Sequence, residues 1–525
     1  MGQGAKKKRP RQDVRPGSPD PLDIQSRHGR LPPAATAFLP HPPAAMGLTC
    51  VAPPPKRAGP KMHPAQVFCS HSNARARIVT PVRETGALHR RARVAQKGPE
   101  PMALFVQKYG GSSVADAECM RRVAARIKQT CGKSNRVVAV VSAMGDTTDD
   151  LIALARSVNT DPDEREMDSL LATGEMASSA ILTMALHAIG VDAISMTGRQ
   201  AGIRVDNTHL KAKIETIDPS RILQHLDQGK VVVVAGFQGM NAANDVATLG
   251  RGGSDTTAVA LAAALHADRC QILKDVDGIF TANPRIAPKA RKLDEITYDE
   301  MLELAACGAE VLQSRAVEFA KKYNVVLEVM SSFEVKPGTL VREEVSHMEN
   351  VIIRGIAADK NQAKATLRAV RDTPGVAATI FKALSAANIN VDMIVQNVAE
   401  DRATDLSFTV AKDDIAKTRR LLEPMAKKLK AAGLHFDEDI AKVSIVGVGM
   451  KSHSGVAYKM FDALAANGVN IDMISTSEIK ISVVIRAKDA DKAVRVLHDA
   501  FKLHIVPAAS RPKKRPSAAR KPATK

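Results

Sequence analysis

The six cysteines of this 525-residue chain, at positions 50, 69, 119, 131, 270 and 307, form no CxxC pair and no Cys/His cluster. That spacing argues against a structural zinc site and a disulfide scaffold, and free thiols suit a reducing cytoplasm. No run approaches eighteen consecutive apolar residues, so no membrane span is expected. Acidic residues are scarce at both ends: residues 1–101 hold 18 Lys/Arg against 5 Asp/Glu, and residues 511–525 hold 7 Lys/Arg and no acid. The formal charge of +19 therefore belongs to the ends, and residues 102–510 carry a net of −1. Specific nucleic-acid binding needs a basic footprint on a folded face, and none is expected here.

Residues 1–101 also carry 17 of the 28 prolines and show no apolar period of 2 or 3.6. Such a segment buries too little apolar surface to offset its chain entropy, and it reads as a disordered basic extension. A start assigned too far upstream, an organelle transit peptide and a genuine basic arm all fit it. A strand beginning directly after Met102 favours a true start there. Residues 509–525 read as a solvated basic tail.

What lies between is globular in composition, with 45% apolar and 25% charged residues over the whole chain. From 102 to 342, β-branched runs at Leu104–Gln107, Val137–Val141, Lys230–Ala235 and Cys270–Leu273 alternate with helical patterns at Met167–Ile189 and Thr256–Ala267. Unalternated apolar strands separated by helices predict a three-layer αβα, α/β domain with a mainly parallel sheet. Ligands bind such sheets at the strands' carboxyl ends, and the small-residue loops fall there. They are Lys108-Tyr-Gly-Gly-Ser-Ser113, Ser142-Ala-Met-Gly-Asp-Thr-Thr148 and Leu249-Gly-Arg-Gly-Gly-Ser-Asp-Thr-Thr257. Adjacent glycines let backbone N–H groups approach an anion, and Lys108 adds a full charge beside them. Ser254 or Asp255 is expected to cap the third loop's helix, whose N-terminus favours an anion. Asp275 and Asp277 fit a turn as well as a nucleotide contact.

These loops, with Thr173-Gly-Glu-Met176 and Asp275-Val-Asp-Gly-Ile-Phe-Thr-Ala-Asn-Pro-Arg285, resemble aspartate kinase, a family of the amino-acid kinase superfamily. The resemblance spans about residues 102–508. It implies ATP-dependent phosphorylation of the side-chain carboxylate of L-aspartate, the entry to lysine, threonine and methionine, with Mg²⁺ carried by the nucleotide and no protein metal site. By resemblance, Lys108, Arg251 and Asp255 are catalytic, and Ser142, Thr148, Glu175, Arg251 and Asp255 bind the substrate. The nucleotide falls to Lys108, Tyr109, Gly110, Gly111 and Ser112, to Gly252, Gly253 and Ser254, and to Lys274, Asp275, Phe280, Pro284 and Arg285. Two positions depart from the family pattern. Lys274 stands where Thr is common, and Glu310 stands where Lys is common. Lys274 is expected to replace the missing charge or to pair with Glu310.

From 343 to 508, residues 375–394 align without gaps on residues 455–474 at an offset of 80, with 11 of 20 positions identical. A repeat of this kind marks a duplicated module. Each copy reads as strand, Gly-led loop, helix, a strand beginning Asn-x-Asp, and a later strand, a βαββαβ ferredoxin-like α+β pattern. It resembles the ACT domain, an amino-acid sensor that pairs edge to edge between chains, with one copy at 343–430 and the other at 431–508. The resemblance implies a homo-oligomer and feedback inhibition by lysine, with threonine a second candidate. Implied effector contacts in the first copy are Asp372, Ala377, Asn390, Val391, Asp392 and Gln396. In the second they are Lys451, Ser452, Val456, Ala457, Asn470, Ile471 and Ser477. Met348 would allow a separate regulatory polypeptide. The competing readings are another amino-acid kinase, or a sensor or nucleic-acid-binding protein whose kinase half has decayed.

Overall fold

The computed structural model describes residues 102–132, 134–309, 311–343, 352–371, 373–398 and 403–505. Glu310, Met348, Asp372, the extension 1–101 and the tail 509–525 lie outside the described residues, as do the side chains of Lys451 and Ser452.

The chain opens with β1 (Leu104–Tyr109), α1 (Ala117–Cys131), β2 (Arg136–Val141), α2 (Thr147–Val158), α3 (Glu164–Ala188) and β3 (Ala193–Met196). Next come β4 (Ile203–Val205), β5 (Ile214–Ile217), α4 (Ser220–Asp227), β6 (Val231–Ala235), β7 (Gln238–Met240), β8 (Val246–Thr248) and α5 (Gly253–Ala264). The first half closes with β9 (Arg269–Lys274), β10 (Glu295–Thr297), α6 (Tyr298–Ala306), α7 (Ser314–Tyr323), β11 (Leu327–Ser331) and β12 (Thr339–Arg342). Eight of these strands form one sheet in the order β10-β12-β11-β9-β1-β2-β6-β3, and every neighbouring pair is parallel except β11 with β12.

The unalternated run of β2 has a direct cause. Val137, Ala139 and Val141 pack under α1 and α3, while Val138 and Val140 pack on the opposite face under α5 and α7. Both faces are covered, so Val137–Val141 are all buried and only Arg136, at the strand's start, meets water. A small second sheet, β5-β4-β7-β8, stands beside α3. Among the described residues α3 is the helix long and apolar enough to cross a membrane, but half of its apolar window is buried in the fold. It also carries the buried carboxylates Asp168 and Glu175.

The second half runs through β13 (Gly355–Arg371), α8 (Val376–Ala386), β14 (Ile394–Val398), β15 (Ala403–Ala411), α9 (Ile415–Lys428) and β16 (Gly433–Val446). It ends with α10 (Val456–Ala466), β17 (Met473–Thr476), β18 (Lys480–Arg486) and α11 (Ala490–Ala500). All six strands form one antiparallel sheet, β14-β15-β13-β16-β18-β17. The two copies do not stand end to end. Residues 362–371 of β13 pair with β15, whereas Gly355–Asp359 pair with Val446–Lys442 of β16, which on its other side pairs with β18. The closing strand of the second copy is thus the first part of β13, so residues 355–359, inside the 343–430 range expected for the first copy, belong to the second module.

Two local expectations are corrected. Helix α5 begins at Gly253, its N-cap is Gly252, and Ser254 and Asp255 sit inside its first turn without capping it. The Asp255 carboxylate is drawn away by two lysines, described below. The Asn-x-Asp segments, 390–392 and 470–472, run up to β14 and β17 without belonging to them. In the first copy, Asp392 donates its N–H to the Thr409 carbonyl and the Met393 N–H reaches Thr409 Oγ1, which displaces regular ladder bonding there.

Candidate active site

Lys108 is the fifth residue of β1, on the strand face that looks toward α5. Its ammonium lies 2.7 Å from Asp255 Oδ1, and Lys274, the last residue of the adjacent strand β9, lies 3.5 Å from Asp255 Oδ2. Burial alone would raise the Asp255 carboxyl, but Lys108 and Lys274 outweigh it and hold the group below its ordinary range. Burial pulls Lys274 down, and the like charge of Lys108 adds to that while Asp255 opposes it. Two ammonium groups share one carboxylate here, which leaves a net positive charge beside the N-terminus of α5. Backbone N–H groups and the helix dipole add to it, so the geometry calls for an anion.

The glycine loops are closely packed around that point. Gly252 has φ 69°, and a Cβ on it would fall 1.9 Å from Gln313 Cγ. On Gly111 a Cβ would come within 3.0 Å of the carbonyl oxygens of Ala143 and Gly145. The Gly145 N–H donates to the Gly111 carbonyl at 3.2 Å, joining the loop after β1 to the loop after β2. Ser113 donates to Ser332 Oγ at 2.9 Å, and Ser332 Oγ donates to the Lys274 carbonyl at 2.9 Å, tying the loop after β11 to the same edge.

Glu175 reaches the site from α3. It is 4% exposed, its Oε2 has no hydrogen-bond partner, and burial pushes its carboxyl up to about 7 against the pull of the Ala143 N–H and Lys108. A buried carboxylate oxygen without a donor fits an incoming ammonium. Ser142 and Thr148 are half-buried on the neighbouring loop and first turn of α2. Arg251 is exposed on the turn between Gly250 and Gly252.

Some of the predicted residues fall elsewhere. The Tyr109 ring is buried in the core under α1 and α3, and its hydroxyl donates to Gln107 Oε1 at 3.0 Å, so only its backbone reaches the sheet edge. Its burial raises the phenol far above the ordinary range. Ser112, Asp275, Pro284 and Arg285 are exposed, and Arg285 stands 4.0 Å from Asp275. Phe280 is half-buried and forms a backbone bridge with Lys292. Just beyond, Ala282 and Ala287 are buried with Ile353, Ile356 and Val443 of the second half, so this segment joins the two halves. Lys274 pairs with Asp255, and Glu310 lies outside the described residues.

Three residues escaped the sequence reading. Asp168, two turns before Glu175 on α3, is fully buried. It accepts from the Thr248 N–H at 3.0 Å, contacts His209 Nδ1 at 2.7 Å, and so fastens β8 and the 206–212 loop to α3. Arg315 donates to the carbonyls of Leu249 and Ala212 at 3.0 and 2.8 Å and holds the Arg251 turn. Glu300 completes a capping box with Thr297 and pairs with Arg354 at 3.0 Å. The spacing of seven between Asp168 and Glu175 was the available signal, because it puts two carboxylates on one helix face.

In the second half, a cavity of about 90 Å³ is lined by residues that include Arg371, Gly375, Ala377 and Gln396. Asp392 pairs with the buried Lys442, which also donates to the Ala306 carbonyl at the end of α6 at 3.2 Å. Asn390 and Asn470 are exposed, Val391 and Ile471 half-buried, and Asn470 donates to Asp472 at 3.5 Å. Val456 is buried, Ala457 half-buried and Ser477 exposed.

Comparison with known proteins agrees with this arrangement. The amino acid kinase family profile matches residues 103–331, and an ACT domain profile matches residues 368–424 and 443–501. The aspartokinase of Mycolicibacterium smegmatis is 53% identical over 407 residues, covering 77% of this chain and 97% of that protein. E. coli aspartokinase III in complex with aspartate and ADP (R-state) superposes with a TM-score of 0.65 at 25% identity, covering 76% of this chain and 99% of that one. The same enzyme in complex with lysine and aspartate (T-state) gives 0.59 at 26% identity, with the same coverage. With a mainly parallel sheet, a buried carboxylate held by two lysines at its carboxyl edge and a duplicated ACT module, the chain belongs to the aspartokinases, kinases of the amino acid kinase family.

Proposed function

We propose that the chain transfers the γ-phosphoryl group of ATP to the side-chain carboxylate of L-aspartate, giving 4-phospho-L-aspartate. One observation carries the reading: Lys108 and Lys274 share buried Asp255 at the α5 N-terminus, with the Glu175 carboxylate, its Oε2 without a hydrogen-bond partner among the described residues, close enough to feel Lys108. The acceptor carboxylate is already ionised at neutral pH, so attack on the γ-phosphorus needs no general base. Its oxygen bonds to phosphorus as the bond to the β–γ bridging oxygen breaks, and ADP leaves with the electron pair. What the protein supplies is position and positive charge.

Lys108 and Lys274 neutralise charge on the transferring group, with N–H groups of Gly111, Ser112, Gly252 and Ser254 around it, while those of Gly110 and Gly253 donate to the Leu273 and Gly250 carbonyls. Asp255 keeps the two ammonium groups together. Arg251 takes the substrate α-carboxylate in a bidentate pair, Glu175 takes its ammonium, and Ser142 and Thr148 line the pocket. Asp275, Phe280, Pro284 and Arg285 border the adenine and ribose. Mg²⁺ fits as a passenger of the nucleotide phosphates, since both lysines already occupy the Asp255 carboxylate; when bound, it shields the β and γ oxygens.

Lysine, with threonine as a second effector, acts at the cavity beside Ala377 and Gln396. The route to the kinase half is the contact of Asp392 with Lys442 and of Lys442 with α6. Sheet edges β14 and β17 expose Ile394 and Ile474 at equivalent repeat positions, which suits pairing with a second copy. The reading divides the chain at 102–342, 343–430 and 431–508, with residues 355–359 closing the second module, and places it in the cytoplasm, at the entry to lysine, threonine and methionine. ADP release measured across L-aspartate, L-glutamate and other amino acids tests it. Turnover with aspartate alone, suppressed by lysine, is expected; equal turnover with glutamate, or none with aspartate, would overturn it.

A further inference from the structure

In the first copy of the repeat, the loop before α8 borders the cavity beside Gln396. At the equivalent loop, before α10, the fold opens a cleft of about 380 Å³ between the kinase half and the second module. Its cationic side chains come from four separate segments: Arg291, Arg354, Lys459 and Lys502, with His453 at the rim. No Asp or Glu is among the described lining residues. The difference from the first copy is specific. At the offset of 80, Thr373 becomes His453 and Thr379 becomes Lys459, so an imidazole and an ammonium replace two hydroxyls around the same helix start.

Three features point to a missing anion. Arg354 is 7% exposed, and although its Nε pairs with Glu300, its Nη2 is buried without a hydrogen-bond partner among the described residues. Arg291 feels the Asp294 carboxylate and, less strongly, the like charge of Arg354, and its own Nε is buried without a hydrogen-bond partner among the described residues. Two guanidinium groups held together in partial burial repel each other, and Glu300 is the only carboxylate paired with Arg354 among the described residues. Helix α10, eleven residues long, starts in the same cleft from Gly455, with no side chain capping its first N–H groups. Lys459 is held over the Phe501 ring at 5.0 Å, which keeps its ammonium at the cleft.

We propose that this cleft binds a small phosphate-bearing anion, clamped between the kinase half and the second module. Lys459, Lys502 and the first turn of α10 meet the phosphoryl oxygens, while Arg291 and Arg354 supply the positive field from beneath. The site is separate from the nucleotide site and from the cavity beside Gln396. Its ligand would strengthen the junction through which the sensor modules act.

Calorimetric titration of the full chain at fixed chloride, with pyrophosphate, orthophosphate and citrate as probes, tests this. The Lys459→Glu/Lys502→Glu chain is the comparison, because both lysines are exposed. Pyrophosphate should bind the unaltered chain at a site that the double variant weakens about a hundredfold, about tenfold for each lost charge-assisted contact. Orthophosphate binding as tightly as pyrophosphate would assign the site to free phosphate. Pyrophosphate binding equally to both chains would place it at the nucleotide site and overturn the proposal. Citrate matching pyrophosphate would overturn phosphoryl recognition. Equal melting of the two chains without anion checks the fold, and Lys502→Glu alone serves if the double variant does not fold.

Discussion

Replacing Glu175 with glutamine separates the electrostatics of the site from its shape. Glutamine keeps the volume and removes the charge. The Glu175 carboxyl is raised from 4.5 to about 7, chiefly by burial. Keeping it ionised in the free protein above pH 7 costs about 3 kcal/mol, at about 1.4 kcal/mol for each tenfold change in proton affinity. Between pH 4.5 and 7 the native chain holds a proton that the unfolded chain has released. Stability from this group is therefore present below pH 4.5 and lost as pH rises through about 7. The Glu175→Gln chain lacks that loss, so relative to their values below pH 4 it should exceed the parent by about 1 kcal/mol at pH 5 and by about 3 kcal/mol at pH 8. Urea unfolding of both chains at pH 5 and pH 8 reads the difference directly, and groups common to both cancel. Catalysis should move the other way. An ammonium held by Glu175 needs the ionised form, so the aspartate KM of the parent should rise about tenfold per pH unit below 7. In the variant KM should be high, roughly a hundredfold above the parent at pH 8, and flat with pH. Parallel unfolding profiles and an unchanged KM would refute the reasoning.

Three further outcomes follow from the same geometry. Lys274→Thr removes one of two ammonium groups on Asp255 and should lower kcat or raise the ATP KM about tenfold or more, since charge-assisted contacts are worth about 1.5–3 kcal/mol; unchanged steady-state constants would exclude it from nucleotide handling. Gly252→Ala forces a left-handed alanine into Gln313 and should cost about 2 kcal/mol or more, with kcat falling as the α5 turn shifts; thermal unfolding and turnover measure both. Gln396→Ala should raise the lysine concentration for half-inhibition about tenfold or more, read from ADP release across a lysine titration; an identical inhibition curve would move the effector site elsewhere.

Much of the fold was legible because two-sided burial leaves a plain mark: strands such as β2 and β6 read as valine-rich runs of small apolar residues without a polar break. The strand period also carried a warning about Tyr109, since neighbours on a strand face opposite ways and Lys108 already faced α5. The α5 start was misread because Asp255 has the local features of a cap, and only the tertiary pull of two lysines overrides them. The exchange of β13 and β16 between modules is invisible to a repeat offset, which reports similarity and not strand pairing. Arg315 and Glu300 act on partners 66 and 54 residues away in sequence. No local pattern marks such contacts.

The most direct test of the central claim is to trap the acyl phosphate as its hydroxamate, with ATP, Mg²⁺ and L-aspartate, for the full chain and for Lys108→Met. The account predicts aspartate-dependent hydroxamate from the unaltered chain and a loss of about a thousandfold or more in the variant, the scale of removing a main electrostatic stabiliser of a transition state. Equal hydroxamate from both chains, or none from either, would contradict it.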